Sequence, residues 1–154
     1  MEITLDYDTL GTRLRRIGTA EITYAKWTGH PNRVGPWELD YDTMGTRLRH
    51  VGTAEIAYTK WTGRPTAVGT WELTYDKLNS RLRRIGPYTL DYDQLGSRVR
   101  TVGPLEISYD KLGSRAHVVR LEDADGDALP GDLLLALFLV LYWRTQQAQR
   151  SGNR

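Results

Sequence analysis

The stretch Trp37-Glu38-Leu39-Asp40-Tyr41-Asp42-Thr43-Met44-Gly45-Thr46-Arg47-Leu48-Arg49-His50-Val51-Gly52 decides the fold. Its first residues alternate apolar and polar, the period of a strand with one buried face. A short segment with glycine follows, where positive φ costs nothing in a tight loop. Arg47 to Val51 read as a second strand, which Gly52 ends with turn chemistry. The unit is strand, loop, strand, turn.

The same unit recurs on both sides of this stretch. Tyr7, Tyr24, Tyr41, Tyr58, Tyr75, Tyr92 and Tyr109 are spaced 17 residues apart, and Gly18, Gly35, Gly52, Gly69, Gly86 and Gly103 keep that step. Repetition at a fixed period outranks other local signals. Positions are counted here from the repeat tyrosine, Y. Y−4 holds Ile3, Ala20, Trp37, Ala54, Trp71, Tyr88 and Leu105, and Y−2 is Leu or Ile in every repeat. Glu21, Glu38, Glu55, Glu72 and Glu106 lie between them at Y−3. Seven such hairpins make about fourteen antiparallel strands.

Facing charges suggest the register. A four-residue loop sets Y+1 against Y+6, which pairs Asp8–Arg13, Asp42–Arg47, Asp76–Arg81, Asp93–Arg98 and Asp110–Arg115. Ala25–His30 and Thr59–Arg64 replace that pair in the second and fourth repeats. The same register sets Y−1 against Y+8, as in Asp6–Arg15, Asp40–Arg49 and Asp91–Arg100, and puts Tyr7 against Leu14. One extra residue at Y+9 then has to bulge so that Ile17 faces inward with Leu5. The second and fourth repeats carry Lys26-Trp27-Thr28-Gly29-His30-Pro31 and Lys60-Trp61-Thr62-Gly63-Arg64-Pro65, as if a 34-residue pair had been duplicated.

The end of the chain differs. Residues 122–131 form an acidic linker, and Pro130-Gly131-Asp132 suits a helix start. The helix is expected over 132–146, with a flexible tail at 147–154. Leu133 to Trp143 is apolar on every side, so this helix has to be buried all round. Eleven helical residues rise ~16 Å. Fourteen strands ~4.8 Å apart and tilted ~40° make a barrel of radius ~14 Å, wide enough for one helix and a lining of Tyr and Trp. The prediction is a mainly β protein of one domain, 1–154. Its seven repeats (1–121) form an antiparallel barrel of about 12–14 strands around the C-terminal helix.

The string Asp40-Tyr41-Asp42-Thr43-Met44-Gly45-Thr46-Arg47-Leu48 resembles the YD repeats of Rhs and teneurin-like proteins. That resemblance implies β-hairpins wrapped around a C-terminal polypeptide. The expected architecture is similar to the barrel of tubby-like proteins and phospholipid scramblases, although no headgroup-binding motif of those families falls on this chain.

Composition narrows function. The chain has no cysteine, which excludes disulfides and thiolate metal sites. Its formal net charge of +2 does not point to nucleic acid. No basic and apolar leader is apparent at the start, and the Leu133–Trp143 run is about half of the ~20 residues a membrane span needs. The expected location is cytoplasmic. Asp123 to Asp127 miss the glycine and glutamate places of an EF-hand, and His30, His50 and His117 share no ligand spacing. No nucleophile motif or phosphate loop stands out. The reading is a non-enzymatic, cofactor-free monomer, a structural or binding module. Arg13, Arg47, Arg64, Arg81, Arg98 and Arg115 are read chiefly as partners of the Asp ladder. Arg16, Arg33, Arg84, Lys26, Lys60, Lys77 and Lys111 are the candidate anion contacts, with anionic lipid as the candidate partner. Two alternatives accompany it: a lipid-interacting protein that uses its apolar helix, and an open repeat sheet that oligomerises.

Overall fold

The computed structural model describes residues 1–152 apart from 10–12, 44–46, 78–80, 95, 97 and 112–114, with the helical backbone alone for 148–152. The expected four-residue loops, Thr9–Thr12, Thr43–Thr46 and Lys111–Ser114 among them, therefore fall partly outside the described residues. The strands are β1 (Glu2–Tyr7), β2 (Leu14–Ile17), β3 (Ala20–Tyr24), β4 (Pro31–Val34), β5 (Trp37–Tyr41), β6 (Leu48–Val51), β7 (Ala54–Tyr58), β8 (Pro65–Val68), β9 (Trp71–Tyr75), β10 (Leu82–Ile85), β11 (Tyr88–Tyr92), β12 (Val99–Val102), β13 (Leu105–Tyr109) and β14 (Ala116–Leu121). One helix, α1 (Gly131–Gly152), follows.

Each strand pairs with its neighbours in sequence, and β1 pairs with β14 through Glu2↔Arg120, Ile3↔Val119 and Thr4↔Val118. The sheet closes on itself as an antiparallel barrel of fourteen strands, so it has no open edge of the kind an oligomerising sheet would offer. Two-residue turns join successive hairpins, as Ile17↔Ala20 shows. Gly18 there has φ +60, the left-handed conformation that such a turn demands at its first central residue. Added bulk would also be excluded at these turns: a Cβ on Gly86 would lie 2.5 Å from Trp71.

The charge-based register holds at the loops. Asp8 N donates to Arg13 O and Asp42 N to Arg47 O, each at 2.9 Å, so Y+1 does face Y+6. It shifts one residue further along. Tyr7 pairs with Leu14, but Asp6 pairs with Arg16, Asp40 with His50 and Asp91 with Thr101. The expected Asp6–Arg15, Asp40–Arg49 and Asp91–Arg100 pairs are not formed, and the bulged residue is Y+8, not Y+9. A bulge beside Y+7 turns that residue's carbonyl out of the hairpin ladder. The next repeat supplies its partner: Tyr24 donates its hydroxyl to Leu14 O at 2.6 Å, and Tyr58 donates to Leu48 O at the same distance.

Inward positions Y−4, Y−2 and Y line the barrel, and α1 occupies its axis. Leu5, Ile22, Leu39, Ile56, Leu73, Leu90 and Ile107 are all buried at Y−2. Ala136, Leu137 and Leu139 of the helix have no exposed surface. The helix runs from the turn rim to the loop rim. Gly131 approaches Trp37 at one end, and the guanidinium of Arg144 lies 5.9 Å from the Tyr92 ring centre at the other. The acidic linker crosses the turn rim, where the Asp127 carbonyl covers Gly18. The helix starts at Gly131, close to expectation, but continues to Gly152, past the expected end at 146. Gln146, Gln147, Ala148 and Gln149 are good helix formers that extend a helix already nucleated inside the barrel.

Outward positions such as Glu21, Glu38, Asp40, Glu55, Glu72 and Glu106 are exposed and charged. Apolar inside and polar outside is the reverse of a lipid-embedded barrel. No helix among the described residues is long and apolar enough to cross a membrane.

Because α1 is the core, Leu137→Ala is expected to cost ~2–5 kcal/mol by opening a cavity that cannot collapse. Leu137→Asp should leave a buried unpaired charge and abolish the folded barrel. Thermal and urea melts followed by circular dichroism check both. A near-native midpoint for the Asp variant would contradict an interior helix.

Candidate functional site: the loop rim

At the loop rim the repeats are joined by side chains. Between consecutive hairpins the backbone ladder covers two residues beside the turn, Arg16↔Glu21 and Ile17↔Ala20 in the first case. Further toward the loops the tyrosines take over. Each donates its hydroxyl to the Y+7 carbonyl of the preceding repeat, at 2.6 to 2.7 Å. Tyr7 closes the circuit by donating to Ala116 O at 2.6 Å.

A second layer stacks on this ring. Arg13 lies over Tyr24, Arg47 over Tyr58, Arg64 over Tyr75, Arg81 over Tyr92, Arg98 over Tyr109 and Arg115 over Tyr7, between 4.1 and 4.8 Å from the ring centres. In the remaining repeat the ring of His30 stacks on Tyr41 at 4.9 Å. The guanidiniums are held in turn by the expected Asp partners, with Nε–carboxylate distances of 2.9 to 3.2 Å at Asp8, Asp42, Asp76, Asp93 and Asp110. Five of these arginines thus hold the Asp partners expected from the sequence, and Arg64 does not. Thr59 stands where the Asp of Arg64 would be, and the Arg64 Nε is buried with no hydrogen-bond acceptor among the described residues.

Burial pushes the hydroxyls of Tyr7, Tyr24 and Tyr75 up to about 12, with the stacked arginine offsetting part of the effect. Burial also raises Tyr58 to about 12, with Tyr142 adding to it. Tyr41 rises too, from burial first and then from Tyr142 beside it, and Tyr92 and Tyr109 move in the same direction.

The candidate anion contacts divide into two groups. Lys26, Lys60, Lys77 and Lys111 are exposed in the loops at this rim. Arg16, Arg33 and Arg84 are not at the bulge. They sit in the ladder at Y+9, opposite Asp6, Thr23 and Thr74, and Arg33 also bonds Glu38 at 3.2 Å. His50 meets Asp40 at 3.2 Å and His117 meets Asp110 at 3.5 Å, in separate repeats. The acidic residues Glu122, Asp123, Asp125 and Asp127 are exposed on the linker, whose Asp127 lies at the turn rim, so loop lysines and linker carboxylates occupy opposite sides of the barrel.

Trp27 and Trp61 are not marked as surface residues by the sequence alone. Both are 94% exposed, the large apolar residues that the described fold leaves in water. They occupy Y+3, directly after Lys26 and Lys60. The signal that marks the position is its apolar character in every copy: the other repeats carry Leu10, Met44, Leu78, Leu95 and Leu112 there, residues outside the described set.

No family model, no curated protein and no solved structure matches the chain.

The tyrosine ring fixes a pH dependence. Below pH ~10 the hydroxyls are protonated in both folded and unfolded chains, so their contribution to stability is complete. Above that pH the unfolded chain loses protons that the fold retains, and stability falls as pH rises through about 12 for Tyr7, Tyr24 and Tyr75. Tyrosinate absorbance and the circular dichroism of the barrel should change together in one alkaline transition. Titration of most tyrosines near pH 10 with the barrel intact would count against the ring.

Proposed function

We propose that the protein is a non-enzymatic binding module, a self-plugged barrel that rests its loop rim on an anionic membrane surface. The exposure of Trp27 and Trp61 at the loop tips, each beside an exposed lysine, carries the reading. Indole has an apolar body and a polar N–H, and it partitions to the headgroup level of a bilayer. Lysines near an anionic leaflet contribute about 1 kcal/mol each, and four stand on these loops. The loop carboxylates do not oppose this, because Asp8, Asp42, Asp76, Asp93 and Asp110 are bonded to arginines.

The apolar helix is a weaker membrane contact than the rim. Its leucines already contact the barrel lining, and releasing them would expose that lining to water. A barrel whose interior is filled by its own chain supports a scaffold that acts through its outer surface.

Sedimentation with vesicles tests the reading. Phosphatidylcholine vesicles containing phosphatidylserine are expected to pellet the protein, and added salt to weaken the effect. The double variant Trp27→Ala/Trp61→Ala should lose most of this pelleting while melting like the parent, since both side chains lie outside the core. Parent protein that stays in the supernatant, or a double variant that pellets equally well, rejects the membrane contact.

A further inference from the structure

The fourth repeat departs from its neighbours in a way the membrane reading does not use. Five repeats carry an Asp at Y+1 bonded to an Arg at Y+6, and the second repeat carries neither, with Ala25 and His30. The fourth keeps the arginine and lacks the acid: Arg64 faces Thr59. Thr59 meets Arg64 through its backbone and hydroxyl, with Thr59 N donating to Arg64 O at 2.8 Å and Arg64 N donating to Thr59 Oγ1 at 3.1 Å. The guanidinium lies on the Tyr75 ring at 4.1 Å, and its Nε is buried with no acceptor among the described residues. A buried guanidinium donor left without an acceptor is costly, and its fork matches a carboxylate or phosphate.

A cavity of about 180 Å³ opens beside it, between the barrel wall and the last buried turn of α1. Tyr58, Tyr75 and Trp143 form aromatic walls, and Arg144 adds a second cation from the helix. Arg47 and Arg81 also border the cavity but are bonded to Asp42 and Asp76. No carboxylate is among the described residues that line it.

We propose that this mouth is a binding site for a small organic oxyanion, a carboxylate or phosphate monoester attached to a flat apolar group. The oxyanion accepts from the Arg64 guanidinium, which has no Asp at Y+1 to hold it, and the apolar group lies against Tyr58 and Trp143. In five other repeats the corresponding arginine is already held by a carboxylate, which leaves Arg64 as the one at this mouth whose Y+1 position supplies none. The site does not depend on the membrane contact proposed above.

The test is a titration of ¹⁵N-labelled protein with phenyl phosphate, followed through the Trp143 indole signal, which is assigned by Trp143→Phe. Inorganic phosphate, phenol and the short-chain dihexanoyl phosphatidic acid serve as comparison probes. Saturable shifts with phenyl phosphate, at least tenfold weaker shifts with phenol, and loss of binding in Arg64→Leu are expected. Thr59→Asp is the decisive variant. It restores the arrangement of five other repeats, so it should fold normally and bind phenyl phosphate at least tenfold more weakly. Phosphatidic acid that binds at least tenfold tighter than phenyl phosphate would assign the site to a lipid headgroup. Comparable binding would assign it to a free metabolite. An unshifted Trp143 signal with every anion, or a folded Thr59→Asp variant that binds as the parent does, overturns the proposal. Trp27→Ala/Trp61→Ala should leave the titration unchanged, which separates failure of this site from failure of the membrane reading.

Discussion

A closed ring of fourteen strands is too wide to fill with its own side chains, and this constraint governs the molecule. Barrels of about eight strands can fill their interior, and wider ones enclose cavities or channels. Here the interior residues are apolar, so an empty channel would expose them to water at ~25 cal/mol for each Å². The C-terminal helix removes that cost, and its own composition follows from the role. Its leucines surround it because the wall does. The helix and the barrel are two halves of one core, which is why Leu137, Val102 and Ile85 all have no exposed surface.

The ring has sevenfold repetition, and the plug does not. A helix turns every 3.6 residues and presents each repeat with a different surface. Repeats that were identical inside would leave gaps on some sides and clashes on others. The chain adjusts at Y−4. Ala20 and Ala54 sit there in two repeats, Trp37 and Trp71 in two others. Trp37 reaches the start of the helix at Gly131, and Leu134 packs toward Gly35 beside Ala20. Y−2 and the tyrosine hardly vary, because they set the wall itself. Variation is placed where a symmetric shell meets an asymmetric filler.

Much of this was legible in the chain. The period of 17 gave the hairpins, alternation gave the inward face, and an all-apolar segment had only the interior to occupy. The bulge was legible only in part. Leu14 and Ile17 face inward three residues apart, and a bulge at either intervening residue satisfies that pattern. The choice depends on where the Y+7 carbonyl finds a donor, and that donor is the tyrosine of another repeat. The helix end was misread because polar residues beyond the barrel need no burial to remain helical once the helix is nucleated. The exposure of Trp27 and Trp61 was hidden for a similar reason. An apolar residue in a loop reads the same whether it folds back or points into water.

The departures from the repeat then become informative. In the second and fourth units, loss of the Y+1 acid coincides with Trp at Y+3 and Pro at Y+7. None of these changes disturbs the circuit of tyrosine hydroxyls, because the acceptor is a backbone carbonyl that proline also possesses. Tyr41 bonds Pro31 O and Tyr75 bonds Pro65 O, as their counterparts bond leucine, valine or alanine carbonyls. A ring held through the backbone tolerates side-chain change at its loops. That tolerance lets one unit discard its arginine for His30 while another keeps Arg64 without its acid, and it concentrates chemical individuality on one rim of an otherwise uniform shell.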